Sequence, residues 1–319
     1  MTPSSRSRTG SSSSSGWERI ASGFGSNRWS WPPERGHPTR DHFQGRPAAE
    51  FQGRRGKCPP ALFAWGPSVT APRTLAIIPA RLGSTRFPGK VLADLFGRPV
   101  LAHVIERARR IEGLHDVLVA TDAEAVVEAA RAAGAEARMT RADHPSGSDR
   151  IGEVVRGLDP PPDFVLNLQG DEPLLPWTDV SRMVQAMHAD PAAIWTLAHP
   201  ITAADEFTRP SVVKVVLGDG GRALYFSRAP IPHPRTPSAW TALRHVGVYG
   251  YPRSLLEAML ALPPSRLEAC EGLEQLRVLE AGLPIRVLIG EKGSPGIDEP
   301  EDLERLKRAY PSAEALARA

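Results

Sequence analysis

Cysteine is nearly absent from this 319-residue sequence: Cys58 and Cys270 are its only thiols, and no Cys/His cluster has zinc spacing. That excludes a disulfide scaffold or a structural zinc site as the organising principle and makes a reducing, cytosolic setting the expectation. Long apolar runs are missing too. No stretch approaches the roughly 18 consecutive apolar residues that a bilayer-spanning helix needs, so membrane insertion is not expected. Several catalytic signatures are also lacking. There is no GxxxxGK[ST] phosphate loop, no GxGxxG, no GxSxG elbow and no HExxH, which removes the best-marked routes to P-loop, dinucleotide, serine-hydrolase and zinc-protease chemistry.

What is present suits a soluble globular protein: 41% hydrophobic and 24% charged residues, with aromatics at only 6%. The formal charge of +3 is unevenly spread. Residues 1–72 carry ten Lys/Arg against four Asp/Glu, whereas the rest carries 29 basic against 32 acidic residues. Basicity therefore belongs to the first segment, and the body has no electrostatic footprint for specific nucleic-acid binding. A nonspecific polyanion-binding role for that segment is the weaker reading.

Residues 1–72 also differ in pattern. They hold the run Ser11 to Ser15, many Gly and Pro, and four of the seven tryptophans, without a period of 2 or 3.6. Such a stretch buries too little apolar surface to offset its ordering entropy. An extension without fixed structure, a transit peptide and translation from an upstream start codon are the competing readings. The acids and the missing amphipathic helix weigh against a transit peptide, and no apolar h-region marks a secretory signal. The expectation is a disordered or misassigned extension over 1–72 and one domain over 73–319.

From Arg73 onward strands and helices alternate. Leu75 to Pro79, Asp116 to Ala120, Glu136 to Met139 and Phe164 to Leu168 read as strands. Val100–Ile111, Glu124–Ala133 and Ser148–Leu158 read as helices, with Ser148 a plausible N-cap. This rhythm predicts βαβ units and a mostly parallel sheet. The second half is richer in β-structure: a hairpin around Gly218-Asp219-Gly220-Gly221, a strand over His245–Tyr251 and another over Ile285–Ile289. Helices are expected over Arg253–Leu262, Glu271–Glu280 and, entered through Pro300, Glu301–Ala309. No internal repeat is evident.

Three places could carry chemistry. The loop Ala80 to Lys90 follows the first strand, where open α/β sheets bind ligands, and offers Gly, two hydroxyls, two guanidiniums and an ammonium. Those donors suit a triphosphate; a solvated basic turn is the competing reading. Asp171, in the turn after Leu168, and Asp298, before Pro300, could hold Mg²⁺ against phosphate oxygens if the fold brings them together. A turn that merely caps the next helix is the alternative for Asp171, while Glu301 and Asp302 are expected to serve the helix that follows Asp298. His144 lies in a polar loop suited to ligand contact, and Cys270 reads as a packed thiol.

The runs IIPARLGSTRFPGK, TDAEAV, TRADHPSGSDRI, NLQGDEPLLP, VKVVLGDGGRALYFSRAPIP, RHVGVYGY, LEQLRVLEAG and GIDEPEDLERL occur in that order. Together they closely resemble the 3-deoxy-manno-octulosonate (Kdo) cytidylyltransferase, or CMP-Kdo synthetase, family over about residues 73–310. The first loop alone would indicate only the wider group of cytidylyltransferases acting on acidic sugars. The resemblance implies a Rossmann-like nucleotidyltransferase sheet flanked by helices, with a β-rich dimerisation and sugar-binding subregion. It implies transfer of CMP from CTP to Kdo, with Mg²⁺ and release of diphosphate, by a cytoplasmic homodimer that feeds lipopolysaccharide biosynthesis. Another acidic sugar, 8-amino-Kdo or a sialic acid, is the alternative acceptor, and a catalytically idle binding module is disfavoured because Lys90, Asp171 and Asp298 are all present.

Residue by residue, Arg81, Ser84, Arg86 and Lys90 resemble the CTP-phosphate loop, and Arg141 to Asp149, including Ser146 and Gly147, resembles part of the cytidine pocket, which Gln169 also faces. Asp171 and Asp298 resemble the metal-binding carboxylates and, with Lys90 and Arg86, the catalytic set. Arg228, His245, Tyr249, Glu274 and Gln275 resemble the contacts to Kdo.

Overall fold

Successive residues of the first strand serve opposite faces of one sheet, and that alternation sets the layers of the fold. In the computed structural model, which describes residues 71–83, 86–233, 235, 241–291, 293 and 296–319, β1 (Thr74–Pro79) is buried along nearly its whole length. Ala76 and Ile78 point into one apolar cluster, Leu75 and Ile77 into the other. A strand apolar on both faces needs helices on both faces, and the chain supplies them.

A short hairpin, β2 (Asp94–Leu95) and β3 (Arg98–Pro99), leads into α1 (Val100–Ala108). Then come β4 (Asp116–Thr121), α2 (Glu124–Ala132) and β5 (Glu136–Met139). Next are α3 (Gly147–Arg156), β6 (Phe164–Asn167), α4 (Trp177–Ala189), β7 (Ile194–Pro200) and α5 (Ala204–Thr208). The hairpin β8 (Lys214–Leu217) and β9 (Ala223–Ser227) precedes β10 (Leu243–Pro252). Helices α6 (Arg253–Ala261), α7 (Arg266–Glu271) and α8 (Gln275–Glu280) lead to β11 (Ile285–Ile289), and α9 (Pro300–Ala309) and α10 (Ala313–Arg318) close the chain.

The main sheet runs β11-β7-β10-β6-β1-β4-β5, with β8 and β9 attached to β10. Neighbours along the main path are parallel except at β10, which is antiparallel to both β6 and β7. Helices α1, α2 and α4 supply the buried residues on one face, and α3, α6 and α8 those on the other. A third, smaller cluster joins Leu95, Val100, Ile297, Leu303, Leu306 and Leu316, with Phe87 and Leu174 packed against it.

From β1 the chain proceeds outward to β4 and β5, then returns to the other side as β6. The β1–β6 boundary is therefore the topological switch point, where loops diverge and leave a crevice. The two loops that border it are 80–90 and 168–173.

Four sequence expectations change. Segment 174–211, unassigned from sequence, contains α4 and β7. The helix expected over Glu271–Glu280 starts only at Gln275, because Gly272, at φ +62°, ends a separate helix, α7, at Glu271. The N-cap of α3 is Ser146, whose Oγ accepts from the Asp149 N–H at 3.2 Å; Ser148 lies inside the first turn and is buried. Cys270 is exposed rather than packed. The expectation for 1–72 lies almost entirely outside the described residues.

Candidate active site

Loop 80–90 ends in a tight turn at Gly89 (φ +72°), from which a short 3₁₀ segment starts at Lys90. Val91, next in line, is buried against Ile78 and Leu168 in the main core. This anchoring leaves the Lys90 side chain mostly shielded but aimed at the crevice. Its Nζ pairs with Asp171 Oδ2 and lies 3.3 Å from Asp298 Oδ1, and Arg86 Nη2 donates to the same Asp298 oxygen at 3.0 Å. Two carboxylates 127 positions apart in sequence thus converge on one ammonium.

Main-chain contacts hold that convergence. The Ile297 N–H donates to the Asp171 carbonyl at 2.9 Å, and the Ile297 side chain is fully buried in the third cluster. Asp302 Oδ2 accepts from the N–H groups of Asp298 (2.9 Å) and Glu299 (3.0 Å), closing a capping box at the start of α9. Asp302 thus serves helix entry, as its position suggested. Asp171 caps no helix, because α4 begins at Trp177 after Pro176.

The crevice has a volume of about 310 Å³ and is lined by Pro79, Arg81, Arg86, Lys90, Val91, His144 to Gly147, Arg150, Gln169, Gly170 and Asp171. It therefore gathers Arg81, Arg86, Lys90, Gln169 and, of the stretch Arg141 to Asp149, His144 to Gly147; Ser84 lies outside the described residues. Gly147 suits a close approach: a Cβ there would lie a tight 3.1 Å from Pro79 Cγ, so the first turn of α3 sits against the end of β1. Its positive end then borders the crevice. Of segment 141–149, Arg141 and Asp143 do not border it but pair with each other in solvent. His144 Nε2 hydrogen-bonds the Glu153 carboxylate, holding it below the usual carboxylate range.

Sequence reasoning missed Arg150. It is almost wholly buried, donates to Thr140 Oγ1, and reaches Asp122 Oδ2 at 3.2 Å. Its only signal was adjacency to the Ser-Gly-Ser-Asp run.

Of the residues expected at the sugar, Tyr249, Glu274 and Gln275 line one small void, and hydrogen bonds link the region of His245, Tyr249 and Glu274 to residues at the crevice. Gln169 Nε2 donates to the Gly247 carbonyl at 2.8 Å, between His245 and Tyr249 on β10, and Ser148 Oγ donates to Glu274 Oε2 at 2.7 Å. Glu274 Oε1, Gln275 Nε2 and Asn167 Oδ1 are buried without hydrogen-bond partners. Each such orphan costs about 1–3 kcal/mol, a debit that a polar ligand or water can remove. A void of about 10 Å³ among Tyr249, Tyr251, Glu274 and Gln275 has room for one water.

Burial pushes His245 down to about 3, so its imidazole is neutral near pH 7; Nε2 meets Thr196 Oγ1 at 3.0 Å. Burial also keeps Tyr249 protonated. Arg228 stands apart from these groups, with its guanidinium donating to the carbonyls of Glu271 (2.7 Å), Pro210 (3.1 Å) and Gly272 (3.3 Å).

The donor set fits a hard divalent cation. Two carboxylates already surround a positive charge, and among the described residues no group of three or more His, Cys, Asp or Glu forms a metal cage. Mg²⁺ characteristically takes one or two carboxylates and completes its shell with water and phosphate oxygens.

Comparison with known proteins gives the family. A cytidylyltransferase family model matches residues 75–289. The 3-deoxy-manno-octulosonate cytidylyltransferase of Anaeromyxobacter dehalogenans strain 2CP-C is 52% identical over 233 residues, 72% of this chain and 95% of that protein. The Escherichia coli protein of the same name is 46% identical over 236 residues, covering 74% and 95%. A solved CMP:2-keto-3-deoxy-manno-octonic acid synthetase complexed with CTP superposes with TM-score 0.71 at 45% identity, covering 74% of this chain and 98% of that one. By sequence and by fold, the chain belongs to the 3-deoxy-manno-octulosonate cytidylyltransferase family.

Proposed function

We propose that this chain transfers CMP from CTP to Kdo, releasing diphosphate and supplying activated sugar for lipopolysaccharide synthesis. The observation that carries the site assignment is the meeting of Lys90, Asp171 and Asp298 at the switch-point crevice. Arg81, Arg86 and Lys90 bind the triphosphate, and the start of α3 with Ser146, Gly147 and Gln169 receives the nucleoside. As the bond to diphosphate breaks, Lys90 and Arg86 stabilise the charge developing on its oxygens, so catalysis is mainly positioning and electrostatics. Asp171 and Asp298 would hold Mg²⁺, which when bound supplies a Lewis-acid counter-charge to the phosphate oxygens.

In this reading the acceptor contacts His245, Tyr249, Glu274 and Gln275, and also Arg228, which stands apart from those four. The orphaned polar atoms of Asn167, Glu274 and Gln275 leave hydrogen-bonding capacity beneath it, which a bridging water can pass on to the ligand. Neutral His245 and Tyr249 offer hydrogen bonds rather than charge, which leaves Arg228 as the cation for the sugar carboxylate.

A homodimer and a cytoplasmic setting complete the reading. Edge strand β9 exposes Leu224, consistent with a contact through the β-rich subregion, and size-exclusion chromatography with light scattering tests it. A CTP substrate, the scarcity of cysteine and the absence of a membrane-spanning helix among the described residues support the setting. Diphosphate release from CTP, compared across Kdo, 8-amino-Kdo and a sialic acid, tests the acceptor. Kdo should give the highest kcat/KM; a preference for either other acid would overturn the assignment.

A further inference from the structure

Lys214, the first residue of β8, has no exposed surface, yet it carries an ammonium. Its Nζ donates to three main-chain carbonyls: Val212 and Arg228 at 2.6 Å, and Arg209 at 3.0 Å. All three protons of the ammonium are therefore used, which is how a buried lysine keeps its charge, although desolvation lowers its pKa.

One of those carbonyls belongs to Arg228, whose own N–H donates to Glu271 Oε2 at 2.9 Å. The other Glu271 oxygen accepts from Ser227 Oγ at 2.6 Å. Both main-chain polar groups of Arg228 are thus fixed by buried or half-buried charges from different elements. Its guanidinium is braced by the carbonyls of Glu271, Gly272 and Pro210. Three of its five N–H groups are spent in this way, and two are left for a ligand. The same contacts tie the end of β9 to the end of α7, where the chain turns at Gly272 toward Glu274 and Gln275.

We infer that Lys214 and Glu271 are positioning residues for the sugar acid: an ammonium–carboxylate clasp that sets Arg228 and the approach to Glu274 and Gln275 without touching substrate. The inference rests on the proposed reading of those three residues as sugar contacts. A clasp serving only general stability would affect both substrates alike. A clasp serving the acceptor should spare CTP, because Lys214, Arg228 and Glu271 do not border the nucleotide crevice.

The test measures KM for CTP and for Kdo, with kcat, in the full chain carrying Lys214→Met, Glu271→Gln or Arg228→Ala, alongside thermal unfolding. Losing a charge-assisted hydrogen bond at the clasp should raise KM for Kdo about tenfold or more. KM for CTP should stay within about twofold. Equal rises for both substrates, or no change in a folded variant, would overturn the inference. If Lys214→Met does not fold, the isosteric Glu271→Gln decides by the same criterion. Arg228→Ala separates the two levels: an unchanged KM for Kdo there overturns the sugar-site reading itself, and the clasp with it.

Discussion

Lys90 faces two carboxylates in this structure and, in the proposed reaction, three phosphates, so its charge is the one most directly tied to rate. Lys90→Met should cost on the order of 2–4 kcal/mol of transition-state stabilisation, as the loss of a preorganised donor does elsewhere. Measured as kcat/KM, a loss smaller than tenfold would make Lys90 an ordinary surface charge. His245 supports a prediction about stability. Its folded-state pKa near 3 lies below the unfolded value of about 6.5, so between these limits the unfolded chain binds a proton that the folded chain does not. Stability should therefore fall as pH drops through that window, with a slope of up to about 1.4 kcal/mol per pH unit from this residue. Urea unfolding from pH 7 to pH 4 should show a shallower decline for His245→Gln; parallel curves would contradict the assignment.

The third hydrophobic cluster has consequences at the scale of elements. It packs Phe87 from loop 80–90, Leu174 from the turn after Asp171, Ile297 beside Asp298, and leucines of α9 and α10 into one small unit beneath the charged site. Ile297→Ala should loosen Asp298 relative to Asp171. A cavity at so buried a site costs about 2–5 kcal/mol, and the Mg²⁺ concentration needed for half-maximal turnover should rise. Mn²⁺ binding followed by electron paramagnetic resonance in the presence of CTP checks this without turnover; unchanged affinity would show that the cluster does not position the metal site. The hairpin at Gly220-Gly221 is another element-scale constraint. Gly221 takes φ +74°, and a Cβ there would lie 2.9 Å from the Val287 carbonyl. Gly221→Ala should lower the melting temperature, as a scan by calorimetry would show.

Across the whole molecule, the parallel half was legible because buried strands such as Leu75 to Pro79 alternate with amphipathic helices at local spacing. Lys90 and the Arg loop were legible because a cationic turn after a first strand falls at the ligand-binding edge. The pairing of Asp171 with Asp298 was not legible from spacing, since it depends on the Ile297–Asp171 main-chain bond and on a small remote core. Helix α4 and strand β7 were missed: Trp195 and His199 interrupt an apolar run whose partners, β10 and β11, come far later in the chain. Arg150 was missed because its partners, Asp122 and Thr140, meet it only in the fold. The clasp around Lys214 is equally nonlocal. The body, by contrast, needs no help from the N-terminal segment in this reading: deleting residues 1–72 should leave turnover unchanged, and a large loss would give that segment a role.

The account's central claim is that two distant aspartates share one cation with the triphosphate. Diphosphate release from CTP and Kdo, titrated with Mg²⁺ for the native chain, Asp171→Asn and Asp298→Asn, tests it most directly. The account predicts folded variants whose turnover is abolished and is not restored at high Mg²⁺. Near-native rates for either variant in saturating Mg²⁺ would contradict it.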